Sequence, residues 1–195
     1  MPDLSLSCSC GHMKLSLPAC LPTHGTRLRC YCKDCQAGAH ALYAERVLDD
    51  QGGTDLFHTT PARLEISEGE DALACLRLSP KGALRWYASC CDTPMFVTLA
   101  TPSLRFVGVL THNLQGDVER AFGPVKAQVY CDGARPGSEK PSEYGFYGAG
   151  WGVLSRHIGA VFGGAKANPL FTDKRIPVVV PRVLSRVERK AATPE

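Results

Sequence analysis

The chain has 195 residues, ten of them cysteine, and 22 Lys and Arg against 19 Asp and Glu give a formal charge of +3. That length suits one ordinary domain that buries a core without disulfide staples, and so mild and scattered a charge argues against nucleic acid as a partner. The opening MPDLSLSCSCGH lacks a basic stretch followed by an apolar run, so no export signal is expected, the expected localisation is cytoplasmic, and thiols kept reduced are metal ligands or catalysts rather than disulfides.

Most of the chain reads as short strands. In chain order these are Leu4–Ser7, Met13–Leu17, Thr54–Thr59, Arg63–Ile66, Ala72–Leu78, Leu84–Tyr87, Met95–Leu99, Leu104–Leu110 and Val125–Cys131, each brief, rich in β-formers and bounded by Gly, Pro, Asp or Ser. CDGARPGSEKPSEYG then marks a boundary. The expectation is a mainly β body over 1–132 and a C-terminal extension over 133–195 with one helix and a flexible tail. The helix lies in YGFYGAGWGVLSRHIGAVFGG, Tyr144 to Gly164, where Gly148 and Gly152, and Gly159 and Gly163, repeat four apart as in membrane helix packing. Arg156 and His157 in its middle argue against a bilayer, so no membrane partner is expected. Tyr147, Trp151, Leu154, Ile158 and Val161 recur on one face. Each glycine costs about 1 kcal/mol relative to Ala, so this helix requires an interruption or close packing.

The cysteines sort by spacing. Cys8 and Cys10 form Cys-x-Cys followed by Gly11; Cys30, Cys32 and Cys35 form Cys-x-Cys-x-x-Cys; Cys90 and Cys91 are adjacent. Zinc takes thiolates in a tetrahedron, and such ligands arrive as local sets on tight turns with partners from a distant part of the chain. The triplet leaves a corner open unless His40, His12 or Cys75 fills it. Three thiolates make the metal a weak Lewis acid whose natural external ligand is another thiolate. Arg27, Arg29 and Lys33 around the triplet are expected to hold the cysteines deprotonated and to attract an anionic thiol. Cys20, Cys75 and Cys131 stand alone and read as small buried hydrophobes. His58 reads as a hydrogen-bonded surface residue, and His112 and Asn113 as loop polar groups.

LSCSCGHMKLSL, CYCKDCQAGA and LRWYASCCDTPMF, with TPARLEISEGEDALACLRLS between the last two, resemble the glutathione-dependent formaldehyde-activating enzymes and relatives such as centromere protein V. The similarity runs from about Leu4 to Leu110 and more faintly through VYCDGA. It implies a zinc-stapled β-tent of short antiparallel sheets. It also implies one structural zinc shared by Cys8, Cys10, Cys90 and Cys91, a second, catalytic zinc on Cys30, Cys32 and Cys35, and carbon–sulfur lyase chemistry joining glutathione to formaldehyde. In the family's third motif, Phe-Cys-x-x-Cys-Gly-Thr-Pro, Ala88 occupies the first Cys position here and Asp92 the Gly. Cys90 is then the substitute ligand beside Cys91, which demands a local bend because consecutive side chains on a strand point to opposite faces. Tyr31 stands where His is usual and is expected to pack. Two other functions compete: a non-catalytic, zinc-stabilised protein-binding module, and a redox pair of Cys32 and Cys35, which lacks a βαβ context. Oligomeric state is not legible.

Overall fold

Alternation of side chains builds the sheets. In β7 (Leu84–Ala88), Leu84, Trp86 and Ala88 are buried and Arg85 and Tyr87 are less so; in β3 (Thr26–Cys30), Thr26, Leu28 and Cys30 point inward while Arg27 and Arg29 take the other face. This computed structural model describes residues 3–137, 139–164 and 168–194. Ser138 of the boundary segment and Glu195 of the tail lie outside the described residues.

A three-stranded antiparallel sheet joins β1 (Leu4–Ser7), β2 (Lys14–Leu17) and β5 (Glu65–Glu68). An eight-stranded sheet adds β4 (Thr54–Thr59), β6 (Leu73–Arg77), β8 (Thr93–Thr98), β9 (Val107–Leu110), β10 (Ala127–Val129) and β11 (Arg182–Val183), in the order β10-β3-β4-β9-β8-β7-β6-β11. Its interior pairs are antiparallel, and its two outer strands pair parallel, β10 with β3 and β11 with β6. Leu6, Met13, Leu15 and Leu17 of the small sheet meet Phe57, Trp86, Phe96 and Val109 of the large one in a single apolar core. Trp86 is fully enclosed, and its indole Nε1 donates to Thr98 Oγ1 at 2.9 Å, which satisfies its one polar atom. The architecture is mainly β, with helices interspersed and the longest of them, residues 146–162, in the C-terminal part. Among the described residues no helix is long and apolar enough to cross a membrane.

Eight of the expected strands occupy the expected places, their ends moved by at most a few residues; the ninth, Arg63–Ile66, slides to β5 because Pro61–Arg63 forms a 3-10 turn. β3 is an addition that its two arginines conceal. Further additions are α1 (Lys33–His40), α2 (Val118–Phe122) and, where a flexible tail was expected, α4 (Arg186–Ala192). Ser185 and Glu188 form a capping box at the start of α4.

The long helix α3 (Phe146–Phe162) is uninterrupted. Its expected apolar face points outward, with Tyr147 89% and Trp151 67% exposed. The helix seats itself on β10, β3 and β4 through its small face instead. Ala149 is buried, Gly145 at the N-cap lies against Lys126 O, and a Cβ on Gly152 would come 3.0 Å from Thr26 Oγ1. Arg156 Nη1, one turn on, donates to that hydroxyl at 3.1 Å. Close approach of backbone to sheet offsets the propensity cost of the glycines.

His58 departs from its expected surface role. Its ring packs edge-on against Phe106 at 4.7 Å, a Cβ on Gly108, its partner across the ladder, would come 3.3 Å from the ring, and its Nδ1 is buried with no hydrogen-bond partner among the described residues. Burial, aided by the Arg156 charge, pushes the imidazole down to about 3. Unfolded, the ring titrates near 6.5. The unfolded chain therefore takes up the proton first, and stability is complete above pH 6.5 and drains away as the pH falls from 6.5 toward 3, by at most about 1.4 kcal/mol per pH unit. His58→Phe should flatten that part of the curve: the gap between wild-type and variant melting temperatures should shift in favour of the variant between pH 7 and pH 4. A constant gap refutes it.

Candidate metal centres

The first cysteine group forms where the N-terminal hairpin meets the β7–β8 turn. Gly11 takes a left-handed φ of +79° between β1 and β2, its N–H donating to Cys8 O at 2.9 Å, and the turn brings the Met13 N–H to Cys8 Sγ at 3.2 Å. On the other side the bend that two adjacent cysteines require is present. Asp92 takes a φ of +51°, tolerated better by Asp than by most side chains, and the Cys91 N–H donates to Ala88 O at 3.3 Å. Ala88 itself is buried beneath. The four sulfurs of Cys8, Cys10, Cys90 and Cys91 converge within 4.8 Å of one another. Sγ separations are 3.5 Å for Cys8–Cys10, 3.8 Å for Cys8–Cys90, 3.3 Å for Cys10–Cys90 and 3.8 Å for Cys90–Cys91. A disulfide bond is about 2.05 Å, so these are free thiols, close enough together that they could hold a metal ion.

Three residues that the sequence reading missed brace this group. Thr93 Oγ1 accepts from the Ser9 N–H at 3.1 Å and from Arg46 Nη2 at 2.9 Å, and lies 2.8 Å from Ser9 Oγ and 3.1 Å from Cys91 Sγ. Burial raises the Cys91 thiol, but hydrogen bonds from Ser9, Thr93 and Cys10 outweigh it and draw it down to about 5. Burial, then contact with Cys10 and Cys91, raises Cys90. Arg46, bonded to the Thr93 hydroxyl that touches Cys91, thus brings a positive charge close to that sulfur. Replacing Thr93 by Val keeps the shape, strands the Ser9 N–H without its acceptor and leaves Arg46 Nη2 with Ser9 Oγ at 3.3 Å, and should cost about 1–3 kcal/mol in a denaturant titration. A midpoint equal to wild type would show that water substitutes for the hydroxyl.

The second group sits at a strand-to-helix junction rather than on the single tight turn that its spacing suggested. Cys30 ends β3, Cys32 is the N-cap of α1 and Cys35 lies in its first turn, with the Cys35 N–H donating to Cys32 Sγ at 3.3 Å. The three sulfurs lie within 4.8 Å of one another, Cys30 and Cys35 3.7 Å apart. Hydrogen bonds from Cys30 and Cys35, helped by the Cys35 N–H and the Arg85 charge, pull Cys32 down to about 3, while Cys30, bonded to Cys32, is pushed up to about 12. Negative charge gathers at the helix N-terminus, where the backbone dipole favours it.

None of the residues expected as a fourth ligand joins this group. His40 lies against Ala192 O at 2.8 Å and Arg135 Nη2 at 2.8 Å, His12 sits 3.4 Å from Asp71, and Cys75 is buried in β6. Cys20, Cys75 and Cys131 are all buried and outside both groups.

The basic residues also distribute differently. Arg27 grips Asp55 through Nε at 3.0 Å and Nη2 at 2.8 Å, with Nη1 on Gly123 O at 2.9 Å, and Arg29 leans toward Asp49 at 3.6 Å. Both stand on the face of β3 opposite Cys30, a consequence of strand alternation. Lys33 is exposed and donates to Pro194 O at 3.3 Å. The cation at the triplet is Arg85, whose Nη2 donates to Asp34 O at 2.8 Å and whose Nε would lie 2.5 Å from a Cβ on Gly38. Tyr130, half exposed, stands near enough that, after burial, the charge of Cys30 and Cys32 raises its phenol. Tyr31 packs as expected, its hydroxyl donating to Asp49 at 3.2 Å. Behind it, Gln36 Nε2 donates to Tyr31 O and Gly133 O, at 2.8 and 2.7 Å, clamping the junction. A cavity of about 50 Å³ opens beside Cys35, walled by α1, β4, β7, β8 and β9.

No curated protein matches the chain in sequence. A crystal structure of a Rhodobacter sphaeroides protein, Northeast Structural Genomics target RhR83, aligns with a TM-score of 0.43 at 17% identity, over 62% of this chain and 96% of that one. Residues 2–178 match the model described as Family of unknown function (DUF6151), and the chain belongs to that family.

Proposed function

We propose that the chain is a zinc protein of the cytoplasm that binds a small thiol, glutathione first among them, at Cys30, Cys32 and Cys35, in the manner of the carbon–sulfur lyases its motifs resemble. The observation that carries this reading is the asymmetry of the two groups: four sulfurs converge at one and three at the other. Zinc–thiolate bonds of about 2.3 Å in a tetrahedron place sulfurs about 3.8 Å apart. Four separations of 3.3 to 3.8 Å in the first group and one of 3.7 Å in the second lie near that value, and the remaining pairs are within 4.8 Å. An all-sulfur set suits zinc rather than magnesium or calcium. The first group completes a structural site, and the second leaves one corner for an external ligand. Bound there, zinc would lower the pKa of a thiol and keep it as a nucleophile. The chain's own contribution is to hold that sulfur beside the start of α1, with Arg85 offsetting its charge, next to a largely apolar cavity. Metal analysis followed by calorimetric titration of the zinc-loaded protein with glutathione tests this, with saturable binding expected and a formaldehyde adduct formed. A flat titration, or a fourth protein side chain on the second ion, removes it.

The exposed face of α3 favours a second reading. Tyr147, Trp151 and Phe162 are each more than half exposed on one helix, the kind of apolar stripe that marks a protein-interaction surface. On that reading all metal is structural, and added thiol leaves both ions inert.

A further inference from the structure

Thr54 stands opposite Cys30 across the β3–β4 ladder, so the two side chains share a face of the sheet with Cβ atoms about 5 Å apart. The residue is 5% exposed, and its Oγ1 is buried with no hydrogen-bond partner among the described residues. A buried hydroxyl without a partner is costly, and this one lines the cavity beside Cys35. The rest of that wall is apolar, with Leu56, Phe96, Val97 and Leu110 among its residues, and Arg85 is the one charged side chain lining it. Its volume is about 50 Å³. One water needs about 10–15 Å³ by that measure, so the space admits about four non-hydrogen atoms. The two of formaldehyde leave half of it empty.

We infer that this cavity receives a short-chain aliphatic aldehyde whose carbonyl oxygen accepts a hydrogen bond from Thr54 Oγ1 and whose alkyl end lies against Leu56, Phe96 and Leu110. The inference rests on the thiol-binding reading above. The sulfur of a thiol held at the triplet adds to the carbonyl carbon. A C–S bond forms, the C=O π pair moves to oxygen, and that oxygen takes up, through solvent, the proton the thiol released on binding. The product is a hemithioacetal, with nothing oxidised or reduced. Thr54 steadies the charge that grows on oxygen, and the cavity sets the chain length.

Propanone, unreactive in this addition and of the right size, is the probe for the cavity alone. Added to the zinc-loaded protein without thiol, it should shift the NMR resonances of Thr54, Leu56 and Leu110, and the shifts of Leu56 and Leu110 should vanish in Thr54→Val. With glutathione present, propanal should be a better substrate by kcat/KM than formaldehyde or hexanal. Thr54→Val should lower kcat/KM for propanal by about 100-fold. Its glutathione affinity by calorimetry should be unchanged, and Thr54→Ser should restore activity. Unmoved cavity resonances with propanone, or a Thr54→Val protein as active as wild type, overturn the inference. Propanone shifts in a protein that binds no glutathione would leave the cavity assignment standing and remove the thiol reading.

Discussion

A Cys10→Ser protein should lose the metal of the four-cysteine group and melt about 10–20 °C below wild type, the effect of about 5 kcal/mol on a domain of this size. The magnitude follows from what the group joins. It ties the β1–β2 hairpin to the β7–β8 turn, 80 residues away between Cys10 and Cys90, and structural zinc contributes on the order of 10 kcal/mol of apparent folding free energy in small domains. Cys10 is the informative position because it is exposed: serine there disturbs no packing, so a loss of stability reports the metal rather than a cavity. The wild type stripped of all metal by a chelator should melt at or below the temperature of the variant, which retains the other group. Equal melting temperature and equal metal content in wild type and variant would remove Cys10 from any site.

Cys32→Ser should abolish saturable glutathione binding and adduct formation, and metal content should fall from two ions per chain to one, while the circular dichroism spectrum stays native. The fold survives for a local reason. Cys32 is the N-cap of α1 and accepts the Cys35 N–H, a duty serine performs at least as well. What disappears is the most acidic of the three thiols, the one on which the group's negative charge gathers. Calorimetry with glutathione, metal analysis and a thermal melt on the same sample separate the roles. A variant that still binds the thiol would move the site elsewhere, and one that unfolds would make the triplet structural.

Spacing alone determined a good deal. Short punctuated strands with period-two burial announced a mainly β chain, because a sheet with one face on a core writes its geometry directly into the sequence. Spacing likewise grouped Cys8 with Cys10, and Cys30 with Cys32 and Cys35, since sulfurs two to five residues apart have few other places to go; that Cys90 and Cys91 meet the first pair across eighty residues was implied by the motif resemblance and not by spacing. Gly11 announced its turn. The same local logic failed wherever the deciding contact is distant. Arg27 and Arg29 flank Cys30 in sequence, yet strand pairing turns them to Asp55 and Asp49 on the opposite face and leaves Arg85, fifty residues on, as the cation at Cys32. The aromatic stripe of α3 reads as a buried face, yet the helix meets the sheet through Gly145, Ala149 and Gly152, because small residues let backbone and sheet approach closely. Thr93 and Arg46 reach the first cysteine group, and Thr54 the second, from separate elements. Their hydroxyl and guanidinium groups carry no local signature, since a hydrogen-bond partner is specified by where the fold places it and not by its neighbours in the chain.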